Sequence, residues 1–297
     1  MSQVILDLTA YLVGPTVDEL DLLVDLYRQI CPPDRFVYYA IAEQTLWDDI
    51  DDPELTKQGR AAARQGMPLP FLAPVYTRIR DDRPFELQFW DGLEHDSFAF
   101  SCHQAGFNGD DRLHSFVRFS LPLSAPCAEL RRIADVVAQG VNIRSGHGGL
   151  CFSYDGWRKH DAFTYNYGRA KRWWGVDLED LNGTLPQMVD RVKGAQWLTL
   201  LGSMFTAKSE LEGAFDVLNS AVEIVRHPRA MVLQAGPNPS DGDQHRRDPN
   251  LDAYLEVARA IEPVTVDAHS DFAGDQFLAQ GDTLGWLRRF TDPDGWR

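Results

Sequence analysis

The chain has 297 residues, 44% of them apolar and 25% charged, and its 29 basic against 44 acidic residues give a formal charge of −15. This is a globular composition with enough apolar residues for a sizeable core, and 23 glycines and 17 prolines are too few for a fibrous or low-complexity chain. The acidic excess argues against nucleic acid as the main ligand, because phosphate binding draws on Lys and Arg.

From Met1 to Gly14 there is no basic leader before the apolar stretch, and Asp7 interrupts that stretch, so no secretory signal is expected. No uncharged apolar run reaches bilayer-spanning length, so a cytoplasmic protein without a membrane partner is expected. Cys31, Cys102, Cys127 and Cys151 are widely scattered and predict free thiols, with no zinc or redox pair and no cofactor or metal site.

In chain order, Val4 to Val13 predicts a strand, and Thr16-Val17-Asp18-Glu19 has the form of a capping box opening a helix. Val17, Leu20, Leu23, Val24, Tyr27 and Ile30 fall on one helical face, Pro32-Pro33 ends the helix, and Arg35 to Ala42 predicts a returning strand. Thr56 to Arg80, with Pro68, Pro70 and Pro74, reads as an irregular excursion. Phe85 to Trp90 and Ser97 to His103 form a predicted hairpin about Asp91-Gly92. A second strand, helix, strand unit runs through His114 to Leu123, Pro126 to Gln139 and Gly149 to Tyr154, with Leu130, Ile133, Ala134 and Val137 as the buried stripe. A third candidate places a strand at Ala230 to Gln234 and a helix from about Asn250 to Ile261. The fold expected is α+β or α/β, a mixed sheet flanked by helices, with three related units hinting at a duplicated module.

Charge is uneven. Residues 1 to 56 hold twelve acids and two bases. Within them Trp47, Asp48, Asp49, Asp51, Asp52 and Glu54 combine an aromatic anchor with a crowd of carboxylates that repel unless something cationic meets them. They read either as a solvated loop or as a docking surface for a basic partner. Trp157 to Trp174 shows the reverse, with five Lys/Arg, one Asp and six aromatics. Bases could stack there beside phosphate-neutralising cations, although a helix with an aromatic core face and a cationic solvent face has the same composition.

The glycine-rich Ser145-Gly146-His147-Gly148-Gly149 precedes a predicted strand, whereas phosphate-binding glycines follow a strand and open a helix, so it reads as a turn. His147 with Cys151 and Cys102 with His103 are the pairs that hint at a thiol nucleophile, but Cys102 and His103 are neighbours along a strand and so point to opposite faces. No nucleophile elbow, Walker A or zincin sequence is present, and the eight histidines are dispersed. No catalytic residues are assigned, and weight shifts toward a protein that acts by binding.

The second half carries a resemblance. Val192-Lys193-Gly194-Ala195-Gln196-Trp197-Leu198-Thr199-Leu200-Leu201-Gly202 matches a "KG-x-x-WLT-x-LG" segment, followed by Leu233-Gln234-Ala235-Gly236-Pro237 and the terminal Trp286-Leu287-Arg288-Arg289-Phe290. With Phe116 to Leu121 and Gly146 to Phe152, these blocks resemble the type VI secretion immunity family over roughly residues 114 to 290. The resemblance implies one immunity-type domain over 1–297, with an N-terminal subdomain 1–112 and a family-like core 113–297. It implies a non-enzymatic protein that binds and neutralises the cognate effector toxin of a type VI secretion system. The acidic surface suggests that this toxin is basic, such as a nuclease, and the absence of an export signal that it is met in the cytosol. Trp197 and Leu198 are expected in the core and Gly194, Gly202 and Gly236 at turns, leaving partner choice to other surfaces such as Trp47 to Glu54. The competing expectations are an enzyme or nucleic-acid-binding protein using residues 157–174, and a purely structural scaffold.

Overall fold

A computed structural model describes residues 2–36, 38–42, 69, 72–93, 97–107, 110–154, 158–279 and 281–297. The strands are β1 (Gln3–Leu12), β2 (Tyr38–Ala42), β3 (Phe85–Trp90), β4 (Ala99–Phe107), β5 (Asp110–Leu121), β6 (Ile143–Ser153), β7 (Val176–Asp177), β8 (Leu198–Gly202), β9 (Val222–Arg226) and β10 (Ala230–Ala235). The helices are α1 (Val17–Ile30), α2 (Ala73–Arg80), α3 (Cys127–Gly140), α4 (Lys159–Arg172), α5 (Leu181–Thr184), α6 (Ser203–Thr206), α7 (Asp252–Ile261), α8 (Asp282–Leu287) and α9 (Pro293–Trp296). The strands form one sheet of order β2-β3-β4-β5-β1-β6-β8-β10-β9, with β7 beside β6. Its pairings are antiparallel except for the short β6–β7 pair, so the fold is the expected mixture of helices on a mixed sheet.

The predicted capping box forms. The Thr16 hydroxyl accepts from the Glu19 amide at 3.2 Å, and the Thr16 amide donates to the Glu19 carboxylate at 3.0 Å. Leu20, Leu23, Val24 and Tyr27 of α1 are buried, and Tyr27 stacks on Phe89 of β3 and lies against Phe100 of β4. Helix α3 buries Leu130, Ile133, Ala134 and Val137, and packs across β1, β6, β8 and β10. Burying such side chains contributes roughly 1.5–3 kcal/mol each, which lets two 14-residue helices hold one face of the sheet.

The strand and helix units enter the sheet in different ways. Strands β5 and β6 both run antiparallel to β1 and flank it, so the β5-α3-β6 crossover straddles β1. Strand β2, by contrast, lies at the sheet edge, with β3, β4 and β5 between it and β1. Two local expectations are corrected. Residues 73–80 of the supposed excursion are helix α2, since Pro74 falls in its first turn, where a missing amide proton costs nothing. The glycine-rich stretch is the interior of β6 and not a turn. A Cβ on Gly146 would meet the Thr9 carbonyl at 2.8 Å, and one on Gly148 would meet Leu8 Cδ1 at 2.8 Å, so glycine permits the close approach of β1.

The sheet has two unlike faces. Strand pairing places Leu87 and Phe89, Phe100 and Cys102, Val117 and Phe119, and Leu8 and Ala10 side by side on the helix-covered face, all buried. The alternate residues make a second, polar face: Glu86, Gln88 and Trp90, then Ala99, Ser101 and His103, then Arg118 and Ser120, then Asp7 and Thr9, then His147. Over β8 and β10 every residue is buried, whereas β3 alternates between buried and partly exposed along its whole length.

Candidate functional site

The polar face carries a sealed ionic knot where β1, β6 and β8 meet the chain that covers them. Short parallel pairing of β7 with β6 brings Asp177 opposite Cys151, and the extended residues after it deliver Glu179. Tyr154 fixes that segment by donating its hydroxyl proton to the Glu179 carbonyl at 2.5 Å, and Asp180 anchors its end by accepting from Lys159 Nζ at 2.6 Å and from the Gly183 amide at 3.2 Å. Lys193 enters from the irregular segment leading to β8, just after the isolated bridge of Val192 to Thr265. Gly194 behind it has a φ of 146°, in the left-handed region that favours glycine.

Lys193 Nζ donates to Asp177 Oδ2 at 2.9 Å, to Glu179 Oε2 at 2.9 Å and to the Leu178 carbonyl at 2.8 Å, which satisfies all three ammonium protons. His147 Nε2 lies 2.6 Å from Glu179 Oε2 and 3.1 Å from Asp177 Oδ2. All four side chains are at most 5% exposed. Beneath them the Lys193 ammonium faces the Trp286 ring at 5.6 Å, and Arg289 stacks on the same ring at 4.1 Å. Burial brings Arg289 down to about 10, and its Nε donates to the Trp174 carbonyl at 2.7 Å. Alongside, Arg118 Nε and the Ser120 hydroxyl both donate to Asp7 Oδ2 at 2.7 Å.

Electrostatics explains how these charges survive burial. Desolvation alone would neutralise Asp177 and Glu179, but Lys193 and His147 hold both carboxyls below their ordinary range. Burial and the neighbouring ammonium push His147 down, yet Glu179 and Asp177 prevail and keep its pKa above the usual value. Lys193 is raised for the same reason against its own desolvation. One His and two carboxylates, with ligand atoms within 4.8 Å of one another, are also a metal-binding donor set. Here the cation among them is the Lys193 ammonium, and of the buried polar atoms in the cluster His147 Nδ1 and Glu179 Oε1 make no hydrogen bond among the described residues. Two open clefts, one lined by Thr16, Asp18, Glu19, Asn142, Ser203 and Arg229 and the other by Arg191, Glu262, Asp267, Arg288 and Asp292, contain none of its members.

The residues singled out from sequence fall elsewhere. Trp47, Asp48, Asp49, Asp51, Asp52 and Glu54 lie outside the described residues. The basic aromatic segment contains α4, and four of its five Lys and Arg side chains are engaged within the protein, Arg158 being exposed. Arg172 forms a bidentate pair with Asp243 at 2.9 and 2.8 Å, Lys159 meets Asp180, Arg169 stacks on Phe152 at 4.5 Å, and Lys171 lies 3.8 Å from the centre of the Trp296 ring. Cations already engaged in this way offer little to phosphates. The four cysteines are free, and burial drives the Cys151 thiol well above its usual pKa, away from the thiolate a nucleophile needs. Cys102 is buried while His103 faces the opposite side of β4, with its pKa pushed down to about 4 by burial. Trp197 and Leu198 are core residues as expected.

The knot itself was missed because positions 147, 177, 179 and 193 have no motif spacing. One signal was available: the blocks that carried the family resemblance supply Arg118, His147, Lys193 and Arg289, charged residues set among apolar neighbours.

Fold and knot together define an α+β protein with one large sheet whose converging charges are locked inside. The chain belongs to the family described as type VI immunity for VRR-NUC, whose model matches residues 94–290. It is thus a type VI secretion immunity protein, of a family that neutralises an effector. Among solved structures it is similar to the Pseudomonas aeruginosa T6SS protein PA0821, at 16% identity and a TM-score of 0.66, over 99% of this chain and 85% of that one, a likeness of fold. No curated protein matches the sequence. Among the described residues no helix is long and apolar enough to cross a membrane.

Proposed function

We propose that this protein neutralises an effector carrying a VRR-NUC nuclease, in the cytosol of the producing cell, by occupying its surface and without turnover. The match to the immunity family over residues 94–290 carries this reading. The sealed knot supports the absence of turnover, since its titratable groups are spent on one another and are buried from any substrate. The net charge of −15 favours a basic partner such as a nuclease, because complementary charge raises the association rate and suppresses wrong partners. The test is co-expression with the product of the adjacent gene. Survival of cells that otherwise die, together with a stoichiometric complex on purification, is expected. Loss of viability despite full expression, with no complex recovered, would refute the reading.

A further inference from the structure

We infer that the effector docks on the partly exposed polar face that β3 and β4 present, with Trp90 as its apolar anchor. This rests on the reading that the protein acts by binding an effector.

The face is defined by strand register. Trp90 pairs with Ala99 and Ala99 with Ser120, Gln88 pairs with Ser101 and Ser101 with Arg118, and Glu86 pairs with His103. The described helices of this half, α1 and α2, pack against each other, and α1 lies on the opposite face, where Tyr27 meets Phe89 and Phe100. Glu86, Gln88, Ser101, His103, Arg118 and Ser120 are accordingly only partly buried, and Trp90 is 38% exposed. The Trp90 indole nitrogen donates to the Leu93 carbonyl at 3.1 Å, which holds the ring at the end of β3, and Leu93 is itself 46% exposed. Because Ala99 pairs with both Trp90 and Ser120, Leu93 and Leu123, each three residues further on, emerge past the same end of the sheet; Leu123 is 54% exposed. Strands about 4.8 Å apart, each offering about five residues at about 3.3 Å, make a platform about 15 Å on a side, bounded toward β5 by the buried Phe116 against His103. A fixed sheet loses little conformational freedom on binding, and Trp is the side chain most enriched among interface anchors.

Charge selects the occupant. Residues 1–121 hold twenty acids against ten bases. On the face itself the Arg118 guanidinium is taken by Asp7, while the Glu86 carboxylate is 27% exposed. An acidic surface or a phosphate finds no cation there to pair with among the described residues. A basic protein surface finds a carboxylate, the neutral acceptors of Gln88 and Ser101, and an aromatic ring on which Arg or Lys can stack. That is the chemistry expected of a nuclease domain, which is built to hold polyanions.

The experiment uses the purified full chain and the nuclease domain of the adjacent-gene product, titrated by calorimetry at two salt concentrations. Trp90→Ala and Gln88→Arg should each weaken binding at least tenfold at an unchanged melting temperature. Tyr165→Ala, on the solvent side of α4, should leave affinity within twofold. If both face variants fold and still bind within threefold of the parent, the docking surface is wrong and the immunity reading stands. If the parent itself does not bind, both fall. Should Gln88→Arg unfold, Trp90→Ala decides alone, because its ring is already partly in solvent.

Discussion

The polar face of the sheet passes from a sealed half to an open half, and the contrast separates what holds this protein together from what it offers to others. Over β1, β6 and β8 the face is covered, and Lys193, His147, Asp177 and Glu179 pair with one another there, while the buried His147 Nδ1 and Glu179 Oε1 keep no hydrogen-bond partner among the described residues. Over β3 and β4 the same face is partly exposed, and Glu86, Gln88 and His103 form a looser polar cluster, with Gln88 Nε2 3.3 Å and Glu86 Oε1 3.6 Å from His103 Nε2. Polar residues in the sealed half are therefore structural, while those in the partly exposed half are the ones proposed to serve recognition.

The sharpest way to break this contrast is Lys193→Met. It leaves two carboxylates buried without their cation, and about 3–5 kcal/mol of stability should be lost in urea denaturation. Gln88→Ala on the open half should change stability by no more than about 0.5 kcal/mol in the same assay. Equal effects at the two positions would dissolve the distinction. Next in size, Leu200→Ala in fully buried β8 should cost about 2–5 kcal/mol through the cavity it opens. Gly146→Ala, which drives a methyl toward the Thr9 carbonyl, should cost about 1–3 kcal/mol.

The smallest effect is in pH dependence, where the two halves act with opposite sign. His147 is raised in the folded state, so its stabilisation is complete below the unfolded value of about 6.5 and is lost as pH rises through the elevated one. His103 is lowered to about 4, so its stabilisation is complete above about 6.5 and is lost as pH falls toward 4. His147→Gln should flatten the alkaline limb of a stability-against-pH curve and His103→Gln should remove part of the acid limb. Asp177 and Glu179 add to that acid limb below the ordinary carboxylate range. Unaltered curves in both variants would contradict these assignments.

Local patterns foretold local structure well. Thr16 and Glu19 announced the start of α1, and the strand expected at His114 to Leu123 is β5. What sequence could not convey was tertiary. Glycine is a poor strand former, so Gly146 and Gly148 suggested a turn until β1 was seen to press against them. The knot joins residues from β6, β7 and the approach to β8, and no local spacing encodes a contact between positions 147 and 193. The family resemblance led to the functional class, while its motifs turned out to build the interior. The basic aromatic stretch advertised a binding surface, yet four of its five cations are taken up by Asp180, Asp243 and the rings of Phe152 and Trp296.

Hydroxyl-radical footprinting of the protein alone and in complex with its effector tests the central claim most directly, because it reads side-chain exposure residue by residue on both halves at once. Oxidation of Trp90 and Leu93 should fall several-fold on complex formation, while Tyr165, Val217 and Leu278, exposed on the other parts of the molecule, keep their reactivity. Protection of Tyr165, Val217 or Leu278 with Trp90 and Leu93 unchanged would contradict the account.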